Sequence, residues 1–600
     1  MKRINGKEEQ NRIIHKLFLK SEVSWAFSDI SKSIGPMVDL FFVSAFIGVN
    51  GVTVLGFVAP LFLFIELVGT MIANGARNKV SSMIGAGKLE ESNRVFSDSL
   101  ILTAGLTIVI GLIVGIFSSG LATLLGARDP EIAQMTSQYI IGFLFGYPFA
   151  TLTRVLTPYL QIEGQYKRVN ATALSTTIID IVGDAIVVFV LKGGMLEIGL
   201  ATAIGNIIPF FIGASYYMGK NKSASFSLKL KGFSPKLCLE MLKLGAPNGV
   251  TKGSCAIGGI VINNMLASLN MPYLVAATGV FNQIQNFLRA SYLAPADTLL
   301  AFVPVFIGEE DKDSIKLSQK IAIVHSLIMT SIVAILLFFG NGIVANLFLK
   351  TDDPEAFRLA SECIRICCFS IPLCTFFDNF NNYLMAVKKI RAANIFGFLC
   401  DFGVMVPVTY IMINLVGYRG AWIAKVLNLV IITLLIIIYI LLNKEGDKFS
   451  DKMLLLPRDF GVTADDEISV VATTTKEIMH LSQIAILFAV EHEADEERAR
   501  FYGLVTEELS IFLSEHGFKD GKAHSINARL VAKDEDLIIR MRDDCKLLNL
   551  REYYQMLSDN SGDTNGGVAK EALGLPIIFK ASKEVQYTPT FGANNLIIRM

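Results

Sequence analysis

At 600 residues the chain is long enough for several soluble domains, yet it is 52% hydrophobic with 41 Phe and a mean hydropathy of +0.50. The formal net charge is zero, so no basic footprint exists for nucleic acid, which is excluded as a partner. Neither the eight Cys nor the six His show metal-ligand spacing, and no metal site of that kind is expected.

The segment up to Lys20 is too polar to supply the apolar core of a cleaved signal peptide. From there to about residue 443, long apolar runs alternate with short polar breaks. Many runs reach the roughly 20 residues that a helix needs to cross the hydrocarbon core. Lipid leaves no partner for loose backbone groups, so such runs must be helices. The pattern predicts twelve spans, near 22–47, 52–78, 96–119, 133–159, 169–191, 196–218, 241–268, 274–304, 320–342, 357–385, 392–414 and 418–442. Cys363, Cys367, Cys368, Cys374 and Cys400 lie inside them and read as small packing residues.

Lys and Arg collect on alternate loops. One set holds the N-terminal tail (Lys2, Arg3, Lys7, Arg12, Lys16, Lys20), the break at Arg77, Lys79, Lys88 and Arg94, and the stretches 220–236 and 388–391. The other set, 49–51, 193–194 and 271–273, is short and nearly free of positive charge. The positive-inside rule then places both termini in the cytoplasm and the chain in the inner (plasma) membrane, and an even number of spans requires termini on one side.

The two halves repeat. Gly56 pairs with Gly279 at an offset of 223, and Ile84-Gly85 pairs with Ile307-Gly308 at the same offset. Gly199 pairs with Gly420 and Ala203 with Ala424 at an offset of 221, and Pro148 and Pro372 fall at similar places in spans 4 and 10. Six spans per half give both halves one orientation, a parallel repeat. Duplicated halves are a common transporter design with the substrate path at their interface.

A charge at the centre of a membrane helix costs about 2.5–3.5 kcal/mol on insertion scales, so each one asks for a reason. Asp39 in span 1 and Asp184 in span 5 lie eight and seven residues before the expected outer ends, about 12 Å of helix. Thr202, descending in span 6, shares their depth, and Asp180 lies one turn below Asp184 on the same face. Carboxylates this close in low dielectric must share a proton or hold a cation. Asp39, Asp180, Asp184 and Thr202 are therefore the candidate cation-coupling site. The repeat partner of Asp39 is about Asn263, and those of Asp180, Asp184 and Thr202 are Asp401, Met405 and Ile423, so the full acidic set lies in one half. Asn263, Asp378 and Asp401 form a candidate second polar site for cation or substrate. Lys252, Arg289 and Asp297 mix signs there, which reads equally well as structural ion pairs, and Arg154 sits at the repeat position of Asp378. Glu66 in span 2 is a candidate attractor for a cationic substrate.

These residues resemble the MATE (multidrug and toxic compound extrusion) family over roughly residues 20–442. The most specific stretches are Met37-Val38-Asp39-Leu40-Phe41-Phe42-Val43 through Gly48 to Leu55-Gly56-Phe57, then Ile84-Gly85-Ala86-Gly87. Ile179-Asp180-Ile181-Val182-Gly183-Asp184 and Gly199-Leu200-Ala201-Thr202 add a second match. The resemblance implies two six-helix lobes in a V that alternate access, and Na⁺- or H⁺-driven export of amphipathic, often cationic compounds. It maps the family's first-lobe cation site onto Asp39, Asp180, Asp184 and Thr202. Members commonly carry Asn where this chain has Asp180, and Thr251-Lys252 occupy the region where some place an acid in span 7.

Beyond a polar linker the texture becomes that of a soluble α/β domain. Residues 496–513 have helical periodicity, 523–531 and 537–542 alternate as strands, 562–574 lead into a helix, and 595–599 close as a strand. Glu507-Glu508 to His516-Gly517, Asp543-Asp544-Cys545, and Gly566-Gly567 through Gly574-Leu575 to Phe591-Gly592-Ala593-Asn594 resemble the histidine-kinase-like ATPase domain of the anti-sigma-factor kinase type. That resemblance makes Glu508, Asp543, Gly567 and Gly574 the candidate nucleotide contacts. Phe512 stands where the family has its Mg²⁺-binding Asn and Cys545 where the D-x-G motif has Gly, so hydrolysis of ATP is not expected.

The expected fold is an all-α polytopic membrane protein, twelve transmembrane helices in two parallel-repeat six-helix lobes, plus a C-terminal α/β domain. Its parts are 1–218, a linker at 219–240, 241–443, a linker at 444–456, and 457–600. The expected function is export of amphipathic or cationic small molecules by H⁺ or Na⁺ antiport. No enzyme activity and no cofactor beyond the coupling ion are expected, and a cytoplasmic protein is a candidate partner for the C-terminal domain. Two rival readings are a lipid-linked precursor flippase and a membrane sensor signalling through the C-terminal domain.

Overall fold

The structure, a computed structural model, describes residues 4–47, 49–86, 88–124, 130–218, 226–229, 233–269, 271, 274–348, 354–443, 445–463, 465–517, 524–533, 535–543, 578–579, 582–590 and 593–600. The first lobe runs α1 (Ile4–Phe42, continued by a π-helical turn Val43–Ile47), α2 (Val49–Gly85), α3 (Leu89–Ile116), a short α4 (Ser118–Leu124), α5 (Pro130–Leu144), α6 (Tyr147–Ile162), α7 (Tyr166–Ile186, continued by a π-helical turn Val187–Leu191) and α8 (Met195–Met218). The second runs α9 (Pro235–Ala267), α10 (Leu274–Tyr292), α11 (Ala294–Gly308), α12 (Lys312–Phe348), α13 (Pro354–Cys367), α14 (Ser370–Ala386), α15 (Ile390–Phe398, then a π-helical turn Leu399–Gly403), α16 (Met405–Val416) and α17 (Arg419–Leu442).

Among the described residues six helices are long and apolar enough to cross a membrane, and three bent pairs bring the number to nine. The long helices α1, α2 and α9 stand where spans 1, 2 and 7 are expected. Three spans expected as single helices are bent: α5–α6 by 47°, α10–α11 by 42° and α13–α14 by 47°. Proline is the reason. Pro148 and Pro295 sit in the first turn of α6 and α11, where a missing N–H costs nothing, and Pro372 stands equivalently in α14.

The lobes meet along one end, the end that also carries the C-terminal domain. There α2 crosses α9 with backbones in contact: a Cβ on Gly75 would stand 1.9 Å from the Met241 carbonyl oxygen, and one on Gly245 1.9 Å from that of Met71. Glycine is required at both places because only a bare Cα permits this approach. Polar links close the same end. Arg77, 1% exposed, reaches Asp297 at 3.2 Å across the lobes and lies over the Trp25 ring. The Asn78 amide donates to the Met385 carbonyl at 2.7 Å, and Lys79 pairs with Glu240 at 2.8 Å.

After the short α18 (Phe449–Lys452) comes a five-stranded antiparallel sheet, β1 (Glu467–Ala472), β2 (Ile526–Lys533), β3 (Asp536–Asp543), β4 (Glu584–Thr590) and β5 (Ala593–Arg599), in the order β1-β2-β3-β5-β4. Two helices, α19 (Thr475–Glu491) and α20 (Glu496–Gly517), cover one face, burying Leu530, Ile539, Met541, Leu596 and Ile598 against Leu481, Phe488 and Leu509. Strand alternation puts Ser469, Arg529, Arg540, Arg542, Asn595 and Arg599 on the opposite face. That polar face sits on the membrane lobes. The helix 496–513 and the strands near 523–531, 537–542 and 595–599 are present with small boundary shifts, whereas β1, α19 and β4 carried no sequence expectation. The segment 562–574 lies outside the described residues.

Candidate functional site

The acidic residues of the first lobe are brought together by three helices. Asp39 lies near the end of α1, Asp180 and Asp184 stand one turn apart on α7, and α8 packs along α7. Carboxylate oxygens of all three lie within 4.8 Å of one another. Asp39 is 8%, Asp180 7% and Asp184 0% exposed. Among the described residues no basic side chain answers them: one oxygen each of Asp39 and Asp180, and both of Asp184, have no hydrogen-bond partner. Thr202 on α8 lies beside Asp180, with its hydroxyl donating to the Ile198 carbonyl at 3.2 Å and its oxygen available to a cation.

Small residues make the space. A Cβ on Gly35 of α1 would stand 3.2 Å from one Asp180 carboxylate oxygen, and a Cβ on Gly205 of α8 3.2 Å from the other. Gly183, between the two acids, lies against Ala201. Asp180 is thus wedged between two glycines on neighbouring helices, which sequence reasoning did not single out. Tyr139 of α5 was also missed. It is 3% exposed and lies within electrostatic reach of all three carboxylates and of Thr202. Gly142 and Gly199 let α5 and α8 approach backbone to backbone and so carry Tyr139 there. Each acid-bearing helix also breaks its regular hydrogen-bond ladder close by. π-helical turns follow Asp39 and Asp184 in α1 and α7, and Asp401 lies within the third such turn. Such bulges cluster at functional sites because they free backbone groups and permit a change of register.

Three carboxylates at this separation in a dry setting cannot all stay ionised without a cation or a proton among them. Oxygen-only donors suit H⁺ and hard ions such as Na⁺ rather than soft transition metals.

The second lobe is arranged differently. Asp378 is bound by Arg289 at 2.6 Å and approached by the Cys374 thiol at 3.8 Å. Asp401 lies on the π-helical turn within electrostatic reach of Arg289, with one oxygen lacking a partner. The side chain of Asn263 lies outside the described residues. In the first lobe Arg154 pairs with Glu66, which Lys252 of the second lobe also approaches at 3.7 Å. Glu66 and Arg289 stand at the repeat offset of 223, and Arg154 and Asp378 at an offset of 224. The two pairs are therefore repeat equivalents with their charges exchanged.

In the sheet domain, Asp543 is 1% exposed at the end of β3 and accepts a hydrogen bond from Asn594 at 2.7 Å. Glu508 lies half-buried on α20, and Phe512 is packed in the domain core. Gly567 and Gly574 lie outside the described residues.

A duplicated twelve-span bundle whose only ligand-ready acid cluster, among the described residues, is a buried oxygen-lined triad defines an integral membrane transporter. The chain belongs to the MatE family, whose model matches residues 25–186 and 252–411, one match in each lobe and together more than half of the chain. It is 24% identical over 388 residues to the multidrug export protein MepA of Staphylococcus haemolyticus (strain JCSC1435), covering 64% of this chain and 84% of that protein. It is 23% identical over 389 residues to MepA of Staphylococcus aureus (strain MSSA476), at the same coverage. Among solved structures it resembles an outward-facing multidrug resistance MATE family transporter of the MOP superfamily, with a TM-score of 0.66, 19% identity, and coverage of 70% of this chain and 94% of that one. The chain is thus a MATE-type membrane transporter and not an enzyme. The family matches end before the sheet domain begins.

Proposed function

We propose that the chain exports amphipathic small molecules by antiport against H⁺ or Na⁺, with Asp39, Asp180, Asp184 and Thr202 as the coupling site. The carrying observation is the triad itself, three buried carboxylates with oxygens within 4.8 Å and no basic partner among the described residues. In this reading both termini and the sheet domain lie in the cytoplasm and the chain spans the inner membrane. The lobes are then sealed on the cytoplasmic side by α2 and α9, and the site is reached from outside. A cation entering from outside gains about 2.3 kcal/mol per charge for each 100 mV of membrane potential. Neutralising the triad removes the repulsion that holds α1 and α7 apart, and the π-helical turns beyond Asp39 and Asp184 supply the register change that repacks them. That repacking expels the compound before the lobes reverse.

The sheet domain acts in this reading as a regulator. Its polar face holds the turn between α11 and α12 in the second lobe and also touches the first. The Glu309 carboxylate, buried, accepts from Arg542 at 2.7 and 2.9 Å and from Asn595 at 2.7 Å. Arg529 donates to the backbone carbonyls of Glu309 and Glu310 at 3.0 and 3.2 Å, while Lys533 pairs with the Glu310 carboxylate at 2.6 Å. Glu310 has φ +53°, a left-handed conformation held by these contacts. Burial raises the Asp311 carboxyl, but Arg529 and the Ser314 hydrogen bonds outweigh it and hold the group below its ordinary range. Ser469 meets Gln10 of α1 at 2.9 Å, and Glu584, Gln586 and Arg599 face Glu90 and Glu91 across a cleft of 340 Å³. One domain thus grips both lobes on the side where they must part for the transporter to face inward.

The test is transport by the full chain in proteoliposomes with a proton gradient and a sodium gradient imposed separately. Export of a multidrug-type dye is expected to speed up under one of the two. Export that neither gradient accelerates would sink the antiport reading.

A further inference from the structure

The resemblance to multidrug exporters raised the expectation of a cationic substrate drawn by Glu66. The charges gathered where the two lobes meet point the other way. Seven residues, about two turns, beyond the Gly245 crossing on α9, Lys252 lies near Arg154 and Arg289, and the three side chains are 36%, 37% and 39% exposed. They come from α6, α9 and α10, so both lobes contribute. The Gly75 and Gly245 crossings of α2 and α9 close the domain-side end, and the three basic side chains lie beyond them along α9 and its neighbours.

Each acid nearby is already engaged or set back. Glu66 lies between Arg154 and Lys252. The Asp378 side chain is only 7% exposed and is bound to Arg289. Asp401 lies within electrostatic reach of Arg289, its backbone carbonyl packed against Gly258 of α9. Further out on α17, Lys425 donates to the Asn282 side-chain oxygen at 2.9 Å and lies 4.6 Å over the Phe281 ring. The exchanged pairs Glu66–Arg154 and Arg289–Asp378 cancel. With Lys252, Lys425 and Asp401 added, one positive charge is left over, and the exposed surface is more cationic than the sum because Asp378 is the buried member of its pair with Arg289. Thr70 reinforces the pattern, its hydroxyl oxygen accepting from Arg154 at 3.0 Å and from Lys252 at 3.4 Å.

We infer that this basic cluster between the lobes receives the negatively charged group of an exported organic anion, with Lys252 supplying the uncompensated charge and Arg154 and Arg289 flanking it. Guanidinium groups suit a carboxylate, sulfonate or phosphate because their planar donors match two oxygens at once. The inference names the substrate class of the transport site proposed above and rests on that reading.

The experiment uses the purified full chain and two fluorescent naphthalene probes that differ only in the head group, one a sulfonate and one a trimethylammonium. The wild-type chain is expected to bind the sulfonate at least about tenfold more tightly, a difference of ~1.4 kcal/mol. Lys252→Gln should narrow the preference and Lys252→Glu invert it, an outcome that a misfolded protein cannot give. Tighter or equal binding of the ammonium probe by wild type, binding of neither probe, or an unchanged order in Lys252→Glu would overturn the inference. Export read in parallel separates the two claims. Gradient-driven export that is lost in Asp184→Asn, together with a preference for the ammonium probe, rejects the anion site and leaves antiport standing. A sulfonate preference with export indifferent to any gradient does the reverse.

Discussion

Asp184→Asn is expected to lower gradient-driven export about a hundredfold, ~2.7 kcal/mol in coupling, while the exported compound still binds. Asp184 is the most deeply buried of the triad and has neither carboxylate oxygen engaged by a described residue. An amide of the same shape keeps the packing but removes the charge that a cation neutralises, so the switch is left in its neutralised form. Asp39→Asn should behave alike, because its oxygens face the same small volume. Asp180→Asn should be milder, since related transporters that this chain resembles commonly carry Asn there. Initial rates of dye export from proteoliposomes read all three. Wild-type rates in both Asp39→Asn and Asp184→Asn would remove the coupling site from the account.

Arg542→Glu should release the sheet domain from the lobes. The change sets a second carboxylate against Glu309, which is buried and whose oxygens are held by Arg542 and Asn595. Breaking a buried ion pair by removing one partner costs about 3–5 kcal/mol, and like charges add to that. The guanidinium also loses its position over the Phe306 ring. Limited proteolysis between residues 457 and 466 should become fast, and export should quicken as the lobes part more readily. Glu309→Arg combined with Arg542→Glu should restore part of the protection, which separates a lost contact from a misfolded sheet. Unchanged protection and unchanged export in Arg542→Glu would leave the domain without a role in gating.

Much of this was readable from residues in order. Apolar runs of span length gave the helices because lipid permits little else, and the offsets of Gly56, Gly85 and Pro148 gave the repeat. The depth argument for Asp39, Asp184 and Thr202 rests on a helix converting residue count into height at a fixed rise. What it could not supply was the angular position of neighbours on other helices. Tyr139, Gly35 and Gly205 enter the site through helix crossings that leave only a small-residue signal, and such residues are common in membrane helices. The pairing of Glu66 with Arg154 and of Arg289 with Asp378 was hidden for the same reason, although the repeat offset already linked their positions. In the sheet domain, α19 has a capping box at Thr474 and Glu477, a local signal that was present but passed over. The docking of Arg529, Arg542 and Asn595 on the 309–311 turn had no sequence signature, since alternation reports a polar face and not what covers it.

The account depends on the first-lobe acids holding the coupling cation. Equilibrium uptake of protons and of radiolabelled Na⁺ by the purified full chain tests this directly, with wild type set beside the Asp39→Asn, Asp184→Asn double variant. Wild type is predicted to take up one of the two ions in competition with the exported compound, and the double variant to lose that uptake. Identical uptake by both proteins, or uptake that the exported compound never displaces, would contradict it.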